Sequence, residues 1–185
     1  MRFFIALDLP GESRNELAKV QEKLKPLIPN VRFTDPEKLH LTIAFVGEQP
    51  EEFKTKLIEI MQQSANGISP FTVTPSYIDG FPHLHTANTL WVGVKGDIDK
   101  LYELRHHIKD GLSNLRLPVD QRRFVPHIAI AKMNNFRLTK DVEKKFEEIM
   151  SGSFTPIQVS SVKLFESVPE HGFHRHNTLA EIQLG

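Results

Sequence analysis

The sequence predicts an α+β fold assembled from two similar halves, and three observations carry that prediction. Helical and strand-like stretches come in blocks, without the strict alternation that a parallel sheet demands. The order of blocks in the first half of the chain recurs in the second. Two landmarks also recur at one separation, Val92 following Ile5 and His127 following His40 by 87 residues each, which marks an internal repeat.

RFFIALDLP, residues 2–10, is an apolar run too short for a helix and suited to a buried strand. A helix follows, with Ser13 and Glu16 at the spacing of a capping box and Leu17, Val20, Leu24, Leu27 and Ile28 on one face until Pro26 and Pro29 close it. LHLTIAF, residues 39–45, is a strand that carries His40 and Thr42. Phe53, Leu57 and Met61 mark an amphipathic helix, and PFTVTPSYI, residues 70–78, is a strand rich in β-branched residues. After the loop DGFPHLHTAN the series begins again with the strand TLWVGVKGD, residues 89–97, and a helix through Leu101, Leu104, Ile108 and Leu112. The strand HIAIAK, residues 127–132, is followed by a helix through Val142, Phe146, Ile149 and Met150 and by one strand, PIQVSSVKLF, over residues 156–165. A loop, PEHGFHRHN, and a last strand, TLAEIQL, complete the second half.

Residues 1–185 are long enough to share one core between two lobes and read as a single domain. Lys plus Arg equal Asp plus Glu at 23 each, so no net field draws the protein to a phosphate backbone, and any nucleic-acid contact is expected to be local. The absence of Cys excludes thiol nucleophiles, disulfides and Cys-type zinc sites. The N-terminal apolar run is interrupted by Asp8 and Pro10 before it reaches the length of a signal peptide or membrane span. A cytoplasmic monomer with no membrane contact is the expectation.

Strand alternation places His40, Thr42 and Ala44 on one face and Leu39, Leu41, Ile43 and Phe45 on the core face. His127, Ala129 and Ala131 likewise lie opposite Ile128 and Ile130. Small residues beneath each histidine leave room for a cleft. Residues i and i+2 stand about 6.5 Å apart, a span that a phosphate bridges by accepting hydrogen bonds from an imidazole and a hydroxyl. Two facing histidines supply a proton acceptor for the nucleophile and a proton donor for the leaving oxygen, since an unperturbed imidazole titrates near about 6.5. This chemistry calls for no metal and no cofactor. Arg123 is a further candidate cation for phosphate and Phe124 a candidate base-stacking residue, whereas alternation assigns Phe45 to the core. HLH, residues 83–85, and HGFHRH, residues 171–176, lack a carboxylate-bearing zinc pattern and read as loops at the cleft mouth. His106 and His107 read as helix-surface residues.

With the histidine strands goes a run of ordered matches along nearly the whole chain: RFFIALDLP, LHLTIAFVGE, GFPHLHTANTLWVGV, RRFVPHIAIAK and VKLFES. In these stretches the sequence resembles the two-histidine phosphoesterases, and within them the RNA 2′,3′-cyclic phosphodiesterases once called 2′-5′ RNA ligases. The resemblance implies a bilobal duplication in which two antiparallel β-sheets flank a V-shaped central groove, with helices outside and the motif His-x-Thr/Ser-x occurring twice. It implies metal-independent opening of 2′,3′-cyclic phosphates to 2′-phosphates, with RNA ends or cyclic-phosphate nucleotides as partners and 2′-5′ ligation as the reverse-direction activity. It implies that His40 donates a proton to the leaving oxygen, that His127 accepts one from water, and that Thr42 binds the phosphate. The second motif departs from the pattern, because Ala129 stands where a hydroxyl is expected. Lys132 stands where the family often has Arg, which keeps a cation near the phosphate and gives up bidentate geometry. Two rival readings stay open: a phosphodiesterase acting on another cyclic nucleotide or a cyclic phosphorylated ADP-ribose product, and a non-catalytic binder of nucleotides or RNA ends.

Overall fold

The computed structural model describes residues 1–185 and contains β1 (Arg2–Asp8), α1 (Gly11–Leu24), β2 (Arg32–Phe33), β3 (His40–Glu48), α2 (Phe53–Ala65), β4 (Phe71–Phe81), β5 (Thr89–Gly96), α3 (Ile98–Asn114), β6 (His127–Lys132), α4 (Lys140–Met150), β7 (Ile157–Val159), β8 (Ser161–Glu170) and β9 (Phe173–Gln183). The strands form two antiparallel sheets, one in the order β3-β1-β8-β9 and one in the order β2-β6-β5-β4-β7. α2 and α3 pack on the first, α1 and α4 on the second, and the two sheets approach each other where β3 lies near β6. The fold is α+β, as expected.

The apolar helical faces explain this layering. Leu17, Val20 and Leu24 of α1 and Leu101, Leu104, Ile108 and Leu112 of α3 are buried in one cluster of 42 residues that draws on both sheets. At about 25 cal/mol per Å² of apolar surface, burial of this kind is the main force holding the helices against the strands. The start of α1 differs from the capping-box expectation. Pro10, in extended conformation, is the N-cap, so Ser13 falls inside the first turn with its hydroxyl buried and unpaired. Glu16 instead accepts hydrogen bonds from the backbone N–H and hydroxyl of Thr155.

The two sequence halves exchange strands. β4 of the first half pairs with β5, and β8 of the second half pairs with β1. This exchange breaks the single strand expected over residues 156–165: β7 continues the five-stranded sheet beside β4, and the chain crosses at Ser160 to begin β8 in the other sheet. The loop expected at residues 169–177 is the tip of the β8–β9 hairpin, turned by His171 and Gly172 at φ 44° and 86°. Positive φ at both central residues matches the twist of a tight hairpin.

Register corrects two further expectations. Asp8 faces His40 and Gly93 faces His127, so β1 and β5 correspond at an offset of 85, while the histidine strands correspond at 87. Ile5 and Val92 are therefore not structural equivalents. In β3, Ile5 faces Ala44 while Ala6 faces Thr42, which leaves Ile43 as an extra residue. In β6, Leu90 faces Ala131 while Trp91 faces Ala129, which leaves Ile130 as the extra one. These matched β-bulges reverse the alternation beyond them. Ala44 and Ala131 enter the core rather than the histidine face, and Phe45 leaves the core to lie 69% exposed.

Candidate active site

His40 opens β3 and His127 opens β6, and both point away from the main core. Each ring is fixed by the backbone two residues before it: His40 Nδ1 lies 2.8 Å from the Lys38 carbonyl oxygen and His127 Nδ1 lies 2.7 Å from that of Val125. A carbonyl oxygen only accepts, so Nδ1 carries the hydrogen in both rings and Nε2 is left for chemistry. A neutral ring accepts a proton at Nε2, and a protonated ring donates one there.

Aromatic side chains surround both imidazoles. The ring centroids of Phe4 and His176 lie 5.0 and 5.5 Å from that of His40, and those of Phe81 and Trp91 lie 4.9 and 5.6 Å from that of His127. Phe4, Ala6 and Phe165 form a small apolar cluster of their own beneath His40, separate from the main core. These surroundings disfavour charge, and burial accordingly lowers the pKa of both histidines below 6.5. For His40 the Lys38 carbonyl and the charge of Asp8 oppose that shift, while His127 and Arg14 add to it. The two histidine strands lie side by side where the sheets approach, close enough for the charge of His127 to act on His40. Asp8 has no counterpart in the other lobe, where Gly93 faces His127 and a Cβ at that position would collide with the ring of Tyr77.

Thr42 and Ala129 follow the histidines on the same faces, half-buried, so the first lobe offers a hydroxyl and the second a methyl. The bulge at Ile130 carries Lys132 round to the side of His127, in the position that Phe45 occupies in the first lobe, and Lys132 is exposed. Phe45 stands 6.0 Å from Phe4, ring to ring, on the groove side. Arg123 is exposed, and its charge lowers the pKa of Tyr77, whose own shift is upward through burial and Asp79. Phe124 does not face the groove. It packs against the core with its ring under the Arg105 guanidinium, 5.3 Å away, and at right angles to Tyr102.

The residues that sequence reasoning missed are the aromatic surroundings, and His176, expected in a loop at the cleft mouth, lies in a strand beside His40. They come from β1, β4, β5, β8 and β9, and only the fold brings them to the histidines. His176 belongs to HGFHRH but sits in β9, with its pKa lowered to about 4 by burial, then by His40, Lys38 and His174. His83 and His85 remain on the β4–β5 connection, their rings 6.4 Å apart. No group of three or more His, Asp or Glu side chains converges to hold a metal ion. A separate depression of about 400 Å³ lies between β4 and α4, lined by Tyr77, Leu84, Phe146 and Met150.

Two imidazoles with Nε2 unpaired, and a hydroxyl on the same strand face as His40, are groups capable of acid–base chemistry. Residues 9–165 match the family model described as the 2'-5' RNA ligase superfamily. The chain belongs to that superfamily. Among curated relatives, a Methanocaldococcus jannaschii protein named RNA 2',3'-cyclic phosphodiesterase is 32% identical over 90% of this chain and 91% of its own length. A Thermotoga maritima protein of the same name is 28% identical over 86% and 82%. Among solved structures, Escherichia coli LigT complexed with 3'-AMP superposes with a TM-score of 0.80 over 99% of this chain and 97% of that one, at 22% identity. TT0787 of Thermus thermophilus gives 0.77 over 100% and 98%, at 23% identity. These two structures share the fold described above. No helix of the protein is long and apolar enough to cross a membrane.

Proposed function

We propose that this protein hydrolyses RNA 2′,3′-cyclic phosphate ends to 2′-phosphates, with His40 as the general acid and His127 as the general base. The observation that carries the reading is the paired Nδ1–H to carbonyl bond, which presents Nε2 of both rings on coupled strands. In the reaction, water attacks phosphorus as His127 Nε2 takes its proton, the P–O3′ bond breaks, and His40 Nε2 protonates O3′. Thr42 donates to a phosphoryl oxygen, and Lys132 offsets the phosphate charge. The same two rings carry 2′-5′ ligation when a 5′-hydroxyl replaces water. Acid–base assistance of this kind contributes about a hundred- to ten-thousandfold per group. Roles divide as they do because the carboxylate of Asp8 favours the imidazolium of His40 and no carboxylate faces His127. The relatives' names support the substrate class.

The test uses an oligonucleotide with a 2′,3′-cyclic phosphate end, incubated with the protein and a strong chelator. A terminal 2′-phosphate is the expected product. A 3′-phosphate, or loss of turnover on chelation, contradicts the reading.

A further inference from the structure

In each histidine strand a bulge next to the histidine sets one residue, Ile43 in β3 and Ile130 in β6, outside the pairing with the neighbouring strand, and the carbonyl group of that residue is taken up by a buried side chain from a helix. The Ile43 carbonyl accepts a hydrogen bond of 2.7 Å from Arg105 Nη1 on α3. The Ile130 carbonyl accepts one of 3.0 Å from Gln21 Nε2 on α1. Gln21 is 5% exposed and Arg105 8%. Both hydrogen bonds of Arg105 end on backbone carbonyls, and burial lowers its pKa. A guanidinium taken out of water at such a place is costly unless its bonds have a use.

The second bond of each side chain ends on the segment that leads into the other histidine. Arg105 Nη2 donates to the Asp120 carbonyl at 3.2 Å, and its guanidinium covers Phe124, in the irregular stretch that leads into His127. Gln21 Nε2 donates to the Thr34 carbonyl at 2.8 Å, and Thr34 N–H donates to the Ile130 carbonyl at 3.0 Å, where the chain sets out towards His40. Arg105 thus ties the strand of His40 to the lead-in of His127, and Gln21 ties the strand of His127 to the lead-in of His40. The two lead-ins also supply the Lys38 and Val125 carbonyls that orient the rings.

We propose that Gln21 and Arg105 are positioning residues, two crossed struts that set the separation and relative orientation of the two imidazoles. The proposal rests on the acid–base reading of His40 and His127. A misplacement of about 1 Å at a reacting group costs about a hundredfold in rate.

The experiment measures R105K and Q21M. R105K keeps the charge and offers one nitrogen to two carbonyls, while Q21M keeps the length and loses both bonds. With folding checked by circular dichroism, each variant is expected to lose kcat by about tenfold or more while KM stays within about threefold, the pattern of lost positioning. A folded R105K with kcat within about twofold of wild type overturns the proposal. R105K alone decides where Q21M does not fold. Should wild type turn over no cyclic phosphate, the proposed activity fails but the struts remain testable through Trp91, the single tryptophan, whose ring lies 5.6 Å from that of His127. Its emission, quenched as His127 gains a proton, is then followed against pH, with H127Q as the control that removes the transition. A midpoint displaced by about half a pH unit or more in R105K supports the struts, and superimposable curves overturn them.

Discussion

Asp8 stands directly opposite His40 in the β1–β3 register, its carboxylate held by Lys163 Nζ at 2.8 Å and by Arg14. The carboxylate favours the imidazolium of His40, and burial opposes it. D8N removes the favourable charge and leaves Arg14 paired only with Glu37 and Lys163 only with Glu181, so both changes make His40 harder to protonate. If His40 is the acid, its deprotonation forms the basic limb of the pH profile of kcat/KM, and that limb moves to lower pH by about half to one unit in D8N. Movement of the acidic limb alone would exchange the roles of the two histidines. The wild-type bell itself is expected on the acid side of neutrality, because burial lowers both free-enzyme pKa values.

Ala129 supplies no hydroxyl beside His127, although Thr42 supplies one beside His40. A hydrogen bond to a charged phosphoryl oxygen is worth about 1.5–3 kcal/mol, so A129T is expected to raise kcat/KM by roughly ten- to a hundredfold. Steady-state kinetics of the two proteins side by side decides this. An unchanged or lower value shows that the missing hydroxyl has no part in transition-state binding.

Acid stability follows from the same surroundings. His40, His127 and His176 all have folded pKa values below the 6.5 of the unfolded chain, that of His176 falling to about 4. The unfolded state therefore binds more protons between those limits, and the associated stability is complete above about pH 6.5 and lost as pH falls towards the folded values. Tm should fall between about pH 7 and pH 4.5, and H176Q should make that fall smaller. Asp120, held at about 2 by Arg122, titrates below this window and does not mask it. A Tm that is flat across the range, or equally steep in H176Q, contradicts the assignment.

Much of this site is legible in the sequence because period-2 alternation and repetition act on a few residues at a time. His40, Thr42 and His127 need only a strand and its repeat to be placed on facing surfaces. The bulges leave no such mark, since Ile43–Ala44 and Ile130–Ala131 are ordinary apolar pairs and an extra residue is defined only by the partner strand. For that reason alternation alone puts Phe45, Ala44 and Ala131 on the wrong faces. Gln21 and Arg105 read as polar positions on amphipathic helices, and their use appears only when each helix is packed on the sheet that carries a bulge. The exchange of β4 and β8 between lobes, which brings Phe81 to His127 and Phe165 near His40, is likewise a long-range pairing with no local signal.

On the proposed reading both histidines act on the scissile phosphate. Single-turnover rates of H40A and H127A on a 2′,3′-cyclic-phosphate oligonucleotide, under chelation and below their Tm, test it most directly. Each substitution is expected to slow cleavage by about a thousandfold or more, and the double variant to be little slower than either single one, as for groups acting as a unit. Retention of a rate within about tenfold of wild type in either single variant would contradict it.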